Sequence, residues 1–251
     1  MTLPTGQPSV GAVTDRVDYT GEGLDEAQVS ATPWEQLQRW VAEAGAAGAS
    51  SGEAPEGLAL SLATIGADGP DVRTVLVRFL DPSGPGFVTD AGSTKSRQLG
   101  ADRRCAASLG WPTLFRVVRF RGWAEPVAPD LLAGYWAQRP WGSRISAWAS
   151  QQSQPAGSRV ELEAGFDAYA ARFPDTGSAD DVPVPPSWAG WRVRPWEVEL
   201  WAGRTSRLHD RIVYSLAGGV ELRDAVGAEE SLTGLPLLDD PAGWLVSRRQ
   251  P

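Results

Sequence analysis

The chain is short of the residues from which most metal and nucleophile centres are built. A single cysteine, Cys105, excludes an internal disulfide and a cysteine-rich metal site. It sits in the apolar run Cys105-Ala106-Ala107-Ser108-Leu109, as a buried structural thiol would. A single histidine, His209, excludes a histidine-cluster metal site and a metalloprotease helix. Asparagine is absent, and Lys95 is the only lysine among 23 basic residues, the other 22 being arginine. A coding bias that writes arginine for lysine accounts for the ratio. The surviving lysine is then either chance or a position where a compact ammonium suits better than a planar guanidinium. No run of eighteen apolar residues occurs, so no membrane span is expected. Residues 1–13 carry neither a basic start nor an apolar stretch, so no secretory signal is read and a cytoplasmic location is expected. No glycine-rich loop follows a strand and no Walker lysine pattern exists, which disfavours the usual nicotinamide and nucleoside-triphosphate enzymes. A net charge of −8 argues against a general nucleic-acid binder.

What is present suffices for one substantial core or two small domains: 251 residues, 42% of them hydrophobic. Residues 1–30 are polar and read as an arm, with 31–251 as a single domain. Thr32-Pro33 opens a helix as N-cap and first position, with Trp34, Leu37, Trp40 and Val41 at helical spacing and an end at Ala44-Gly45. Gly48-Ala49-Ser50-Ser51-Gly52 matches a nucleophile elbow, but it follows a helix in a linker, where a chance match is the better account. From Gly57 the pattern turns to strands: Leu58 to Ile65, a return strand Val72 to Leu80, then Gly86 to Thr89. Their close spacing means antiparallel hairpins. Ser93 caps a short helix, Thr94 to Gly100. Strands Cys105–Trp111 and Leu114–Ala124 follow. Three helices are then expected at Pro129–Gln138, Ser143–Ser150 and Ser158–Phe173. Beyond a proline-rich loop, Trp191–Val193 and Glu197–Trp201 read as strands, and short apolar runs end the chain. Short strands with hairpin turns and flanking helices predict a mainly β, α+β fold around a small antiparallel barrel.

Three clusters could carry chemistry. Arg207, His209 and Arg211 would point to one side of an extended chain, where two guanidiniums and an imidazole suit an anion or an electron-rich ring. A solvated charged loop is the bland alternative. Tyr135 and Arg139, four apart, share a helix face, and Ser143 can start the next helix. Together they could bind a phosphate monoester, or they form an ordinary helix corner with a cap. Arg73 and Arg78 are five apart, so on one strand they face opposite sides: either they serve two ligands or one lies at an edge. Ser93-Thr94-Lys95 at a helix start is a second candidate anion site.

These residues resemble the pyridoxamine (pyridoxine) 5'-phosphate oxidase family from about Arg16 to Pro251. The segments that carry the resemblance are Tyr135 to Pro140, Ser143 through Trp148 to Ser153, Pro183 to Trp188, and Glu199-Leu200-Trp201 continuing to Arg207–Arg211. Arg16-Val17-Asp18-Tyr19 is similar to the family's N-terminal segment that closes over substrate. The resemblance implies a Greek-key split barrel, a homodimer and FMN at the subunit interface. It assigns FMN contacts to Arg73, Thr74, Val75, Leu76, Val77, Arg78, Val88, Thr89, Lys95, Gln152, Ser153, Trp201 and Arg211. It assigns substrate phosphate to Arg78, Tyr135, Arg139 and Ser143. Arg207 and His209 would hold the pyridine ring as the catalytic pair, with Arg16 and Tyr19 contributing from the arm. Some positions depart from the family pattern: Arg78 replaces lysine, Thr94 a basic residue, Val88 an aromatic one and Val117 a glutamine that touches the flavin. The stretch Leu216–Asp240 is longer than the family expectation and reads as an extended hairpin.

The implied reaction is FMN-dependent oxidation of pyridoxamine or pyridoxine 5'-phosphate to pyridoxal 5'-phosphate, with O2 as acceptor. The protein's part is to align two rings while the cofactor does the redox chemistry. Three rival readings exist: a phenazine-type flavin oxidase of secondary metabolism, a non-catalytic FMN or pyridoxal phosphate binder, and a deazaflavin-dependent reductase.

Overall fold

The computed structural model describes residues 18–51, 58–227 and 232–251. Alternation sets the sheet. In β1 (Ala59–Gly66), Leu60, Leu62 and Thr64 are buried while Ala59, Ser61 and Ile65 are exposed, the two-residue period of a pleated strand. β1 pairs antiparallel with β2 (Gly69–Leu76), and β3 (Phe79–Asp81) with β4 (Gly84–Asp90). Gly84 turns the second hairpin at φ +111°, where a Cβ would also meet the Val193 carbonyl oxygen at 2.2 Å, so only glycine fits.

The return strand expected over 72–80 is broken. The Val77 N–H still bonds to Leu58 O at 3.0 Å, but the Arg78 N–H turns to Gly86 O at 2.8 Å. The chain therefore changes partner from β1 to β4 at Val77-Arg78. β5 (Arg104–Trp111), β6 (Arg116–Pro126) and β7 (Trp188–Ala202) complete the order β2-β1-β5-β6-β7-β4-β3. Its two end strands are consecutive in the chain, so the bend at 77–78 closes the sheet into a split barrel.

β7 is one strand where the sequence suggested two. Pro195, which has no N–H to give, sits opposite Gly122, where the β6 register shifts. A Cβ on Gly122 would lie 2.3 Å from Arg194 O, so glycine and bulge together let the strand run past its proline. Along one edge the first part of β7 pairs with β4 and the last part with β8 (Asp210–Leu216), which in turn pairs with β9 (Trp244–Arg248). The connection between β8 and β9 is not an extended hairpin: α6 (Gly219–Gly227) and turns occupy it.

The helices are α1 (Pro33–Ser51), α2 (Thr94–Ala101), α3 (Pro129–Ala137), α4 (Trp141–Ala149) and α5 (Arg159–Arg172). α1 runs past the expected stop at Ala44-Gly45, so the elbow-like motif begins on a helical end rather than between strand and helix. Leu37 and Trp40 of α1 join Leu60, Leu62, Phe87, Phe120, Leu200 and Tyr214 in the barrel core. Trp136, Ile145 and Val182 form a second, smaller core beneath α3 and α4. Among the described residues no helix is long and apolar enough to cross a membrane, and no group of three His, Cys, Asp or Glu could hold a metal ion.

The small core is tied to its covering loop by one buried ion pair. Arg144 Nη1 lies 3.0 Å from Asp181 Oδ1, with both side chains at most 5% exposed. Arg144 also donates to the carbonyls of Ser178 and Ala179, and Asp181 accepts from the Thr176 N–H. Removing one partner of such a pair strands the other charge in low dielectric. Asp181→Ala should therefore cost about 3–5 kcal/mol, seen as a lower midpoint in urea unfolding. A midpoint unchanged from wild type would show that the pair does not anchor the loop.

Candidate active site

β4 delivers Thr89 and Asp90 to the start of α2. Ser93 caps that helix by accepting from the Ser96 N–H, which leaves Lys95 in the first turn. Lys95 is only 8% exposed. Its ammonium donates to Gln152 Oε1 at 2.8 Å and Thr89 Oγ1 at 3.2 Å, both neutral acceptors. Thr89 donates to the same Gln152 oxygen at 2.5 Å. Burial, and then the nearby Arg73 guanidinium, hold the Lys95 pKa below the ordinary lysine value, with Asp90 pulling the other way. Arg73 is itself held by Thr64, Gln98, Asp71 and the Leu62 carbonyl. A lysine, a threonine, a capping serine and a helix N-terminus thus converge, with a second cation behind them, as an anion site requires.

The second cluster adjoins the first. Arg139 lies 4.9 Å from the Trp188 ring centre and 5.7 Å from that of Tyr135. It donates to Tyr135 Oη at 3.5 Å and to the Ser143 backbone carbonyl, not its hydroxyl, at 2.9 Å. Burial, opposed by Tyr135 and aided by nearby Arg78, lowers the Arg139 pKa. A cavity of about 260 Å³ brings the clusters together, lined by Val88, Thr89, Gln152, Arg139, Ser187 and Trp188. The Arg139 Nε and Trp188 Nε1 donors are buried without a hydrogen-bond partner. Each such donor costs about 1–3 kcal/mol until an acceptor satisfies it.

The third cluster sits at the other end of β7. His209 lies 4.8 Å from the Trp201 ring and 5.4 Å from that of Tyr19. His209 Nδ1 accepts from the Arg204 N–H at 3.0 Å, so the neutral ring carries its proton on Nε2. Arg211 pairs in register with Trp201 and holds Glu199 through two of its nitrogens, at 3.0 and 2.8 Å. Arg207 does not share an extended face with His209 and Arg211: Ser206 and Arg207 both have positive φ, in a tight 3-10 turn that leaves Arg207 exposed. Trp188 and Trp201 are thirteen residues apart on one strand. That is about 40 Å at the usual rise of ~3.3 Å per residue, so the second and third clusters of one chain cannot touch a common small ligand.

Of the remaining candidates, Val75 and Val77 place their side chains in the core, Leu76 and Val88 are half-buried, and Thr74 and Arg78 are exposed. Gln152 reaches into the first cluster, while Ser153 is exposed beside it at φ +73°. Arg16 lies outside the described residues.

Comparison with known proteins is consistent across the chain. Residues 55–173 match the family profile described as pyridoxamine 5'-phosphate oxidase. Residues 188–251 match the pyridoxine 5'-phosphate oxidase C-terminal dimerisation region. The pyridoxine/pyridoxamine 5'-phosphate oxidase of Kineococcus radiotolerans is 42% identical over 236 residues, covering 94% of this chain and 97% of that one. The chain belongs to the pyridoxamine 5'-phosphate oxidase family. The like-named protein of Burkholderia multivorans is 41% identical over 237 residues, with the same coverage of both chains. Among solved structures, PhzG from Burkholderia lata, in complex with tetrahydrophenazine-1-carboxylic acid, superposes with a TM-score of 0.72 at 25% identity, over 92% of this chain and 99% of that one. An FMN-binding protein from Nostoc punctiforme shares the fold, with a TM-score of 0.61 at 16% identity over 86% and 97% of the two chains.

The cofactor of this oxidase family is FMN, and the residues present fit its phosphate. The buried Lys95 ammonium has only neutral partners, Thr89 and Gln152, and these two line the adjoining cavity with Arg139 and Trp188. Sequence reasoning missed Trp188 and Glu199 as side chains that hold Arg139 and Arg211. Trp188 ends the Pro183–Trp188 segment, and Glu199 lies two residues before Trp201 and so on its face, which was the available signal. The unique lysine offers a direct check. In protein labelled at lysine nitrogen, the one ammonium resonance should titrate below the ordinary value of 10.5 without anion and move upward with inorganic phosphate. Between the lowered value and 10.5 the unfolded chain binds more protons, so stability should rise with pH in that window. An ordinary lysine titration indifferent to phosphate would remove the anion site.

Proposed function

We propose that this protein oxidises pyridoxamine 5'-phosphate and pyridoxine 5'-phosphate to pyridoxal 5'-phosphate, using bound FMN and O2, at sites each built by two copies of the chain. The observation that carries the reading is the shared cavity. It sets the Lys95 cluster beside the Arg139 cluster and so offers grips for two separate phosphates. The separation of Trp188 from Trp201 along β7 supplies the second half of the argument. The phosphate grips sit at one end and the aromatic–imidazole cluster at the other, so a second chain must bring its own far end to the first chain's cavity. The match of 188–251 to a dimerisation region supports a homodimer that does this.

In this reading Lys95, Thr89, Gln152, Ser153 and the segment from Arg73 to Arg78 hold the FMN phosphate and ribityl chain beside Val88. Trp201 and Arg211 of the partner copy flank the ring. Arg139, Tyr135, Ser143 and Arg78 hold the substrate phosphate. Remote binding energy of that kind fixes the reacting carbon in place, which is where alignment produces rate. His209 offers an Nε2–H and Arg207 a free guanidinium to the pyridine ring's oxygen, with Tyr19, and Arg16 of the arm, covering it. When bound, FMN supplies the two-electron acceptor, and O2 carries the electrons away as hydrogen peroxide, with ammonia released from the amine substrate. Val117 and Thr94 leave fewer polar contacts to FMN than the family pattern has, and Val88 replaces an aromatic side chain.

Arg139→Ala should lower kcat/KM for pyridoxine 5'-phosphate by about 10- to 100-fold, the loss of one charged hydrogen-bonding group of roughly 1.5–3 kcal/mol. The protein should stay yellow. Wild-type kinetics in this variant would overturn the phosphate assignment. Failure of the wild-type protein to release peroxide with either B6 phosphate, together with oxidation of a reduced phenazine carboxylate, would favour a PhzG-like reaction instead.

A further inference from the structure

The C-terminal strand ends in an arginine that touches both the arm and the histidine-bearing turn. Arg248 donates from Nε and Nη2 to the Glu26 carboxylate at 2.7 and 2.6 Å, and from Nη2 to the Leu24 carbonyl at 2.9 Å. On its other side Nη1 donates to Asp210 Oδ1 at 2.5 Å. The second oxygen of Asp210 accepts from the Leu24 N–H at 3.0 Å and lies 3.9 Å from Arg204 Nε. One guanidinium and one carboxylate therefore stitch residues 24–26 to the residue next to His209. The Arg248 hydrogen bond holds the exposed Glu26 carboxyl at about 2, so the pair stays charged through the neutral range.

The backbone around this stitch is shaped for close approach. A Cβ on Gly23 would meet the Arg204 guanidinium at 2.0 Å and Asp210 Oδ2 at 2.8 Å. A Cβ on Gly203 would meet Tyr19 Cγ at 3.0 Å and Phe115 Cβ at 2.9 Å. Glycine at both places lets the arm lie directly on the Gly203–Asp210 turn. There Tyr19 makes edge contacts with Phe115, Trp201 and His209 at 4.9, 5.9 and 5.4 Å. Tyr19 meets its neighbours here through ring contacts, so its place depends on what fixes the arm a few residues on.

We propose that Arg248 is a positioning residue of the substrate site: by gripping Glu26 and Leu24 on one side and Asp210 on the other, it sets Tyr19 over the Trp201–His209 cluster. The inference rests on the reading of that cluster as the ring end of the site. It adds a residue that touches neither ring nor phosphate and acts only through the arm.

The test uses the FMN-loaded protein and the variants Arg248→Ala, Arg248→Lys and Glu26→Gln. Backbone hydrogen exchange over residues 18–26 should accelerate at least tenfold in Arg248→Ala and Glu26→Gln, and less in Arg248→Lys. KM for pyridoxine 5'-phosphate should rise about tenfold with kcat within twofold and flavin content unchanged. Glu26 is exposed, so its variant guards against a folding defect in Arg248→Ala. Wild-type exchange in both variants would overturn the proposal, and so would faster exchange with KM unchanged. The exchange measurement needs no turnover. An inactive wild-type protein would defeat the proposed reaction while exchange over 18–26 still decides whether Arg248 holds the arm.

Discussion

β7 carries at its two ends the side chains that the proposed chemistry needs together. Trp188 supports Arg139 at one end, and Trp201 supports His209 and pairs with Arg211 at the other. An extended strand cannot fold back on itself, and the hydrogen bonds to β6 along its length keep it extended. The consequence runs through the whole molecule. The barrel is closed by the bend at Val77-Arg78, so Arg73 faces the Lys95 cluster while Arg78 comes near Arg139. The small core under α3 and α4 backs the Arg139 end, and the paired β8 and β9, with the arm, back the His209 end.

Charge is distributed by the same logic. The Lys95–Arg139 end concentrates cations whose partners are neutral or aromatic: Lys95 on Gln152 and Thr89, Arg139 on Tyr135 and Trp188. Burial lowers both pKa values. At the His209 end Arg211 is paired with Glu199 and Arg248 with Glu26 and Asp210, while Arg207 stays exposed. Pairing of that kind fixes geometry rather than recruiting a ligand. In a chain that writes arginine almost everywhere, the buried Thr89–Gln152 cluster holds a lysine, whose ammonium is more compact than a guanidinium.

Much of this was legible in the sequence, and the exceptions have physical causes. Hairpins and caps were readable because turn chemistry is local, as at Thr32 and Ser93. Tyr135 and Arg139 meet as their four-residue spacing requires, although Arg139 lies just past the end of α3. The continuity of β7 was hidden because the feature that tolerates Pro195 lies on another strand, at Gly122. α1 outran its expected end because the alanines around Gly45 favour helix and a single helical glycine costs only about 1 kcal/mol. The face expected for Arg207 failed because two non-glycine residues, Ser206 and Arg207, adopt positive φ, which no propensity foretells. The roles of Trp188, Glu199 and Arg248 are long-range contacts, invisible until the strands are paired.

The central claim is that each site takes its phosphate grip from one chain and its ring cluster from another, and subunit mixing tests it most directly. Arg139→Ala and His209→Ala chains, each weakly active alone, would be unfolded together and refolded as a one-to-one mixture. In a two-fold dimer about half the molecules pair unlike chains, and each of those has one undamaged site, so activity should recover to about a quarter of wild type. A mixture no more active than the mean of its two parents would contradict the account, because both clusters would then belong to the same chain's site.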